Sequence, residues 1–295
     1  MYFEDGKSAL YQQNGEKIFL NWSSGVTPED FLVLYSYMKK TLIKIINHVF
    51  VLTALALISC SKSDRVIPEG TAVPTPVTDT FTRQTPGMTN QSFTRDENSN
   101  ITDYLLYIPD GYNERQEKWP LVIFLHGTGE MGTDVNKVKV TGLPKAVKGK
   151  PFVMVAPQCR RIWWNAAALE AFYKFVVARY HIDPKRIYLT GLSMGGIQSW
   201  AWAEANPEHF AAVIPIAGRG DTKQVDKIKT MPVWAFHAAN DPTVSVAGSR
   251  DMVNALKAIG GNVKYTEYPD GGHDSWTRAY ATEELYTWML QQRKP

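Results

Sequence analysis

The chain has 295 residues, 44% of them hydrophobic and 12% aromatic, enough to build a sizeable core and too apolar for a disordered chain. Its formal net charge of +3 is close to balance, and no basic run is interleaved with aromatic residues, which excludes nucleic acid as the expected partner.

Residues 1–37 show no pattern of a domain. Met38-Lys39-Lys40-Thr41-Leu42-Ile43-Lys44 then forms a basic n-region, and Val49 to Ile58 an apolar stretch shorter than the roughly 20 residues that span a bilayer. Residues 38–59 therefore read as a signal peptide, with an uncleaved anchor as the alternative, and residues 1–37 as the product of an upstream start. Leu57-Ile58-Ser59-Cys60 resembles the lipobox of bacterial lipoproteins, which implies a lipid on Cys60 and attachment to the membrane of the cell envelope, the outer membrane being the expected one. The chain has two cysteines, so lipidation of Cys60 would leave Cys159 without a disulfide partner, as a packed thiol. Residues 60–90, with Pro68, Pro74, Pro76 and Pro86 among Thr and Ser, read as a tether.

The folded part is expected over 91–295. Residues 91–94 and 103–109 suggest an antiparallel entry hairpin. Strands follow at 121–125, 152–156, 186–190, 211–217, 233–238 and 263–268, alternating with helices at 166–180, 197–205, 247–259 and 282–291. Near-continuous apolar strands between helices predict an α/β fold with a mostly parallel sheet covered on both faces. Ligands bind such sheets beyond the carboxyl ends of the strands.

Gly191-Leu192-Ser193-Met194-Gly195-Gly196 lies at such an end, between a strand and a helix. Chance alone gives Gly-x-Ser-x-Gly in roughly one chain of this length in ten, so the placement, not the triplet, marks Ser193 as a nucleophile on a tight elbow. A serine needs a base, and the base a carboxylate, in the order Ser, Asp, His for this topology. Of the five histidines after Cys60, His273 alone follows the last strand. Asp241 follows the adjacent strand, and Asp221, one connection earlier, competes with it for the acid role. Asp270 and Asp274 read as local turn residues. The oxyanion of an acyl-transfer intermediate would be met by the backbone N–H of Met194, at the start of the elbow helix, and by that of Thr128 in His126-Gly127-Thr128-Gly129. Trp163, Trp164 and Trp276 either line the site or pack in the core. No His/Cys/Asp cluster has metal-ligand spacing, and no cofactor is implied.

Leu125-His126-Gly127-Thr128-Gly129-Glu130, Ala156-Pro157-Gln158-Cys159, the elbow, Phe236-His237-Ala238-Ala239-Asn240-Asp241 and Gly272-His273-Asp274-Ser275-Trp276 together resemble the α/β-hydrolase superfamily. Within it they are similar to the carboxylesterases and peptidases grouped near dienelactone hydrolase, phospholipase/carboxylesterase and polyhydroxybutyrate depolymerase-like esterases. Two departures stand out: Glu130-Met131-Gly132 replaces the Glu-Arg-Gly usual in the first loop, and Ser193 stands where dienelactone hydrolases carry cysteine. The resemblance implies Gln158 as a further substrate-lining residue. It also implies a serine carboxylic-ester hydrolase acting through an acyl-enzyme on small-molecule or polysaccharide esters. A serine peptidase, an acyltransferase and a non-catalytic binding lipoprotein are the alternatives. The short connection from Arg219 to Met231 leaves no room for a large lid.

Overall fold

The computed structural model describes residues 2–4, 8–13, 16–21, 82–94, 96, 98–161 and 163–295. The expected signal peptide, Cys60 and the greater part of the tether lie outside them. The chain divides into two units, Met1–Pro76 and Val77–Pro295. In the first, strands β1 (Tyr2–Glu4), β2 (Ser8–Gln13) and β3 (Glu16–Asn21) form an antiparallel sheet in that order. No domain is expected there from sequence, yet pairing of Gln13 with Glu16 leaves only Asn14-Gly15 between β2 and β3, the dipeptide that two-residue hairpins favour.

The second unit is built on an eight-stranded sheet. Its strands are β4 (Gly87–Ser92), β5 (Ile101–Ile108), β6 (Trp119–Leu125), β7 (Val153–Cys159), β8 (Ile182–Leu192), β9 (Ala212–Ile216), β10 (Val233–Ala238) and β11 (Val263–Tyr268). They lie in the order β11-β10-β9-β8-β6-β7-β5-β4. All pairs from β7 to β11 are parallel, while β5 runs antiparallel to both of its neighbours. The tether therefore ends earlier than residue 90: β4 begins at Gly87. Its Thr89, Asn90, Gln91 and Ser92 are polar because the strand is a half-exposed sheet edge, and a polar edge strand looks like a linker in sequence.

Side chains of the central strands alternate between two cores. Leu121, Ile123 and Leu125 of β6 face one side with Val213, Val233 and Ala235; Val122 and Phe124 face the other with Ile214, Trp234 and Phe236. Helices α2 (Ala166–Arg179), α3 (Met194–Ala205) and α4 (Ala247–Ala258) cover the first side through Leu169, Phe172, Val176, Trp200 and Leu256. The second side is covered by α1 (Gly142–Ala146), α5 (Trp276–Tyr280) and α6 (Glu283–Gln291), through Leu143, Tyr280, Leu285 and Tyr286. Asn165 starts α2 by accepting the Ala168 N–H at 2.9 Å. The helices α1 and α5, and 3₁₀ turns at Val135–Val140 and Thr222–Ile228, are additions to the elements expected from sequence. All are too short to carry a helical period. The Thr222–Ile228 turn fills the connection between β9 and β10, burying Val225 and Ile228, and no large lid is inserted. Among the described residues no helix is long and apolar enough to cross a membrane.

On α3, Glu204 is buried, and its Oε1 has no hydrogen-bond partner among the described residues. Burial pushes its pKa up to about 7. The fold thus favours the protonated carboxyl, so this group costs nothing below the ordinary carboxylate value and costs increasingly as pH climbs towards 7. Glu204→Gln is expected to match the wild type in stability near pH 4 and to exceed it by on the order of 2 kcal/mol at pH 8. Calorimetric melting at both values measures the difference, and a gap independent of pH would contradict this assignment.

Candidate active site

The elbow is made by close backbone approach. A Cβ on Gly195 would lie 2.0 Å from Leu125 O, and one on Gly191 would lie 2.4 Å from Gly195 O, so neither position admits a side chain. Between them Ser193 sits at φ 53° and ψ −119°, a conformation that costs a non-glycine residue about 1–3 kcal/mol. Its N–H is held by Ile216 O of β9 at 3.0 Å, and Ile197 N–H returns to its carbonyl at 2.9 Å. The strain raises the Oγ above the carboxyl end of β8.

Two loops bring partners to it. After β11, His273 Nε2 lies 2.9 Å from Ser193 Oγ, and its Nδ1 lies 2.7 Å from Asp241 Oδ2. After β10, Asp241 is fixed through Oδ1, which accepts the N–H groups of Thr243 at 2.8 Å and Val244 at 3.0 Å. The Asp241 side chain is fully buried. Burial works against its charge, but the hydrogen bonds from His273, Val244 and Thr243 outweigh it and hold the carboxyl below its usual range. An ionised carboxylate can only accept, so His273 Nδ1 carries the hydrogen and Nε2 is left to receive the serine proton. Asp221 instead caps the Thr222–Ile228 turn, accepting Lys223 N–H at 3.0 Å. Asp274 caps α5 by accepting Thr277 N–H at 3.0 Å.

Facing the serine is the loop after β6. A Cβ on Gly127 would lie 3.4 Å from Ser193 Cβ, so this loop rests against the nucleophile. Thr128 opens the 3₁₀ turn Thr128–Glu130, and Met194 is the first residue of α3, whose leading N–H groups have no partner within the helix. Five hydrogen bonds hold the loop. His126 Nδ1 donates to Gly127 O at 2.6 Å while its Nε2 accepts Cys159 N–H at 2.9 Å, a pattern that fits only the neutral ring. Burial drives that imidazole's pKa down to about 4. Gly127 N–H donates to Glu130 Oε2 at 3.1 Å, Gln158 Nε2 donates to Glu130 O at 2.7 Å, and Gly132 N–H donates to Cys159 O at 3.0 Å. Sequence reading assigned His126 only to a glycine-rich loop, and missed its role because the partner, Cys159, comes from the next strand.

The residues expected to line the site separate into two groups. Gln158 and Trp164 are buried beneath the loop, the Trp164 ring packing on His126 at 4.8 Å. Trp163 is half exposed at φ 67°, its carbonyl taken by Asn100 Nδ2 at 3.2 Å. Trp276 stands edge-on to His273 at 5.1 Å and lines a cavity of about 320 Å³ with Val140, Thr141, Lys145 and Asp274. Cys159 is buried, donates to Arg161 O at 2.8 Å, and burial pushes its thiol pKa up, opposite to what a nucleophile needs. Among the described residues no cluster of three or more His, Cys, Asp or Glu could hold a metal ion.

A solved thermostable esterase superposes on this fold with a TM-score of 0.61 at 36% identity, over 70% of this chain and 63% of that one. The fold is that of the α/β-hydrolases. The Dienelactone hydrolase family is matched over residues 159–284. A probable feruloyl esterase C of Aspergillus terreus is 30% identical over 168 residues, 54% of this chain and 62% of that protein. The feruloyl esterase C of Emericella nidulans is 28% identical over 175 residues, 55% and 63% respectively. The chain thus spans about three fifths of these relatives. The feruloyl esterase module of Clostridium thermocellum shares the fold at 17% identity and a TM-score of 0.52, over 70% of this chain and 90% of that module.

Glu130 links its own turn to Gly127, and burial raises its carboxyl pKa. Glu130→Ala is expected to speed hydrogen exchange of the Gly127 amide by about tenfold or more, while Glu130→Gln, which keeps an acceptor, leaves it protected. Exchange rates resolved by NMR decide the matter; equal protection in Glu130→Ala and wild type would show that the loop is held without this bond.

Proposed function

We propose that the protein is a serine carboxylic-ester hydrolase acting on aromatic or small acyl esters of carbohydrate alcohols. The observation that carries the reading is the single line of hydrogen bonds from Ser193 Oγ through His273 to Asp241. Ser193 attacks the ester carbonyl as His273 Nε2 takes its proton; the N–H groups of Met194 and Thr128 receive the oxyanion, at about 3 kcal/mol per donor. His273 then protonates the leaving alcohol, Asp241 stabilises the imidazolium, and water repeats the sequence on the acyl-enzyme. Similarity to feruloyl esterases supports a hydroxycinnamoyl ester as the substrate class. Trp276, edge-on to His273, also walls a cavity with Thr141, Lys145 and Asp274, an aromatic face flanked by polar groups that suits a sugar. Residues 38–60 support an exported, lipid-anchored enzyme whose natural substrate is met at the cell envelope.

Hydrolysis of methyl ferulate and of p-nitrophenyl acetate, butyrate and octanoate tests the reading. Ser193→Ala is expected to lower kcat/KM by at least about 10³-fold, and Asp241→Asn by about 10³–10⁴-fold with KM little changed. Faster turnover of aminoacyl anilides than of any ester would instead make it a peptidase. Trp276→Ala is expected to raise KM several-fold for a feruloylated oligosaccharide and not for methyl ferulate; equal effects on both would remove the sugar from that cavity.

A further inference from the structure

The triad carboxylate has a second histidine beside it. His237, in β10 and fully buried, places Nε2 2.9 Å from Val244 O and 3.3 Å from Asp241 Oδ2. Its Nδ1 lies 2.7 Å from Ser249 Oγ of α4, and that hydroxyl lies 3.0 Å from Gly218 O. A carbonyl oxygen only accepts, so the 2.9 Å contact puts a hydrogen on Nε2. That hydrogen is directed at Val244 O, and Asp241 Oδ2 lies 3.3 Å from the same nitrogen. The single Ser249 hydrogen can go to Gly218 O or to His237 Nδ1. Ser249 Oγ donates to Gly218 O, and burial lowers the basicity of His237 more than the Val244 carbonyl and Asp241 raise it, which favours the ring with its hydrogen on Nε2 and with Nδ1 against the Ser249 hydroxyl.

Oδ2 of Asp241 thus has two imidazole nitrogens beside it, at 2.7 Å from His273 and 3.3 Å from His237, while Oδ1 takes two backbone N–H groups. The charged and titratable groups around His237 are few. Asp241 and His273 come from the loops after β10 and β11. Glu267 of β11 is level with His237 in the sheet, but it is bound by Arg250 of α4 and by Tyr265, and Arg250 draws its pKa down to about 2. Its charge is met on that side, which leaves Asp241 as the carboxylate that His237 addresses.

We propose that His237 is a positioning residue of the triad: anchored by Val244 and Ser249, its Nε2–H shares Asp241 Oδ2 with His273 and fixes the rotamer and the acceptor strength of that carboxylate. The proposal rests on the serine-hydrolase reading of Ser193, His273 and Asp241. With the His237 donor gone, Asp241 becomes a stronger acceptor for His273 and favours the imidazolium, the inactive state of the free enzyme's base. The acidic limb of kcat/KM must then move to higher pH. A histidine that merely fills the core would lower the melting temperature and the fraction of active molecules, and would leave the limb where it was.

The test compares wild type, His237→Leu and His237→Gln in the full chain, with active sites titrated by a fluorophosphonate and rates measured on p-nitrophenyl acetate. His237→Leu is expected to lose about tenfold in kcat/KM per titrated site, with its acidic limb raised by about half a pH unit. His237→Gln, whose amide N–H can reach Oδ2, is expected to return the limb to within about 0.2 unit of the wild type. An unmoved limb in His237→Leu, whatever its rate, overturns the proposal. Histidine-selective ¹⁵N NMR of the wild type gives a readout that survives failure of His237→Leu to fold. A neutral Nε2–H ring whose proton shift responds to Asp241→Asn is expected; an Nδ1–H tautomer, or indifference to Asp241→Asn, overturns the proposal. Absence of any hydrolysis by folded wild type would sink the esterase reading alone, because the spectrum still reports whether His237 addresses Asp241.

Discussion

The site depends on how closely helix α3 approaches the carboxyl ends of β6, β8 and β9. Gly195 meets Leu125 O, Gly196 meets Ile216 O, and Gly218 meets Gly196 in turn, each at distances that exclude a Cβ. This contact converts backbone packing into chemistry. It forces Ser193 out of ordinary backbone space, sets its Oγ at the sheet end, and leaves the first N–H groups of α3 beside it. The strain is held by the buried strands on both sides of β8, so the surrounding core stabilises a conformation that the serine alone would leave.

Around that fixed serine the remaining groups are restrained from a second layer. The loop after β6 is tied to β7 by His126 and Gln158, and to itself by Glu130. The carboxylate after β10 is tied by two backbone N–H groups. Neither arrangement needs the substrate to organise it. The neutral state of His126 belongs to the same design, since a charged ring there would compete for the carboxylate of Glu130, 4.0 Å from its Nδ1.

What the sequence revealed and what it hid follow from the range of the forces involved. Alternating apolar strands and helices, and the elbow with its flanking glycines, are local patterns, and the order Ser193, Asp241, His273 named the three side chains that the fold brings together. Thr128 and Met194, expected as oxyanion donors, each stand at the start of a helical turn. His126 and His237 were passed over, for each is defined by a partner on another element, Cys159 in one case and Ser249 and Val244 in the other. The entry hairpin was legible, but not that its first strand starts at Gly87 rather than Gln91, because Thr89 and Asn90 before it are polar; α1 was hidden by its brevity and by Pro144 in its first turn. Trp163 and Trp164 are neighbours in sequence with opposite fates, one half exposed and one buried, because φ 67° at Trp163 turns the chain between them.

The three residues of the line from serine to carboxylate sit on loops that follow β8, β10 and β11, with β9 between the first two. The last hydrogen bond closes 80 residues after the serine. Parallel strands of this kind form late, since each requires a long connection to be ordered before its contacts stabilise it. A chain still emerging from synthesis therefore carries a serine that is chemically ordinary. Ser193 meets His273 only when the far edge of the sheet has docked, so completion of the fold and assembly of the three side chains are one event.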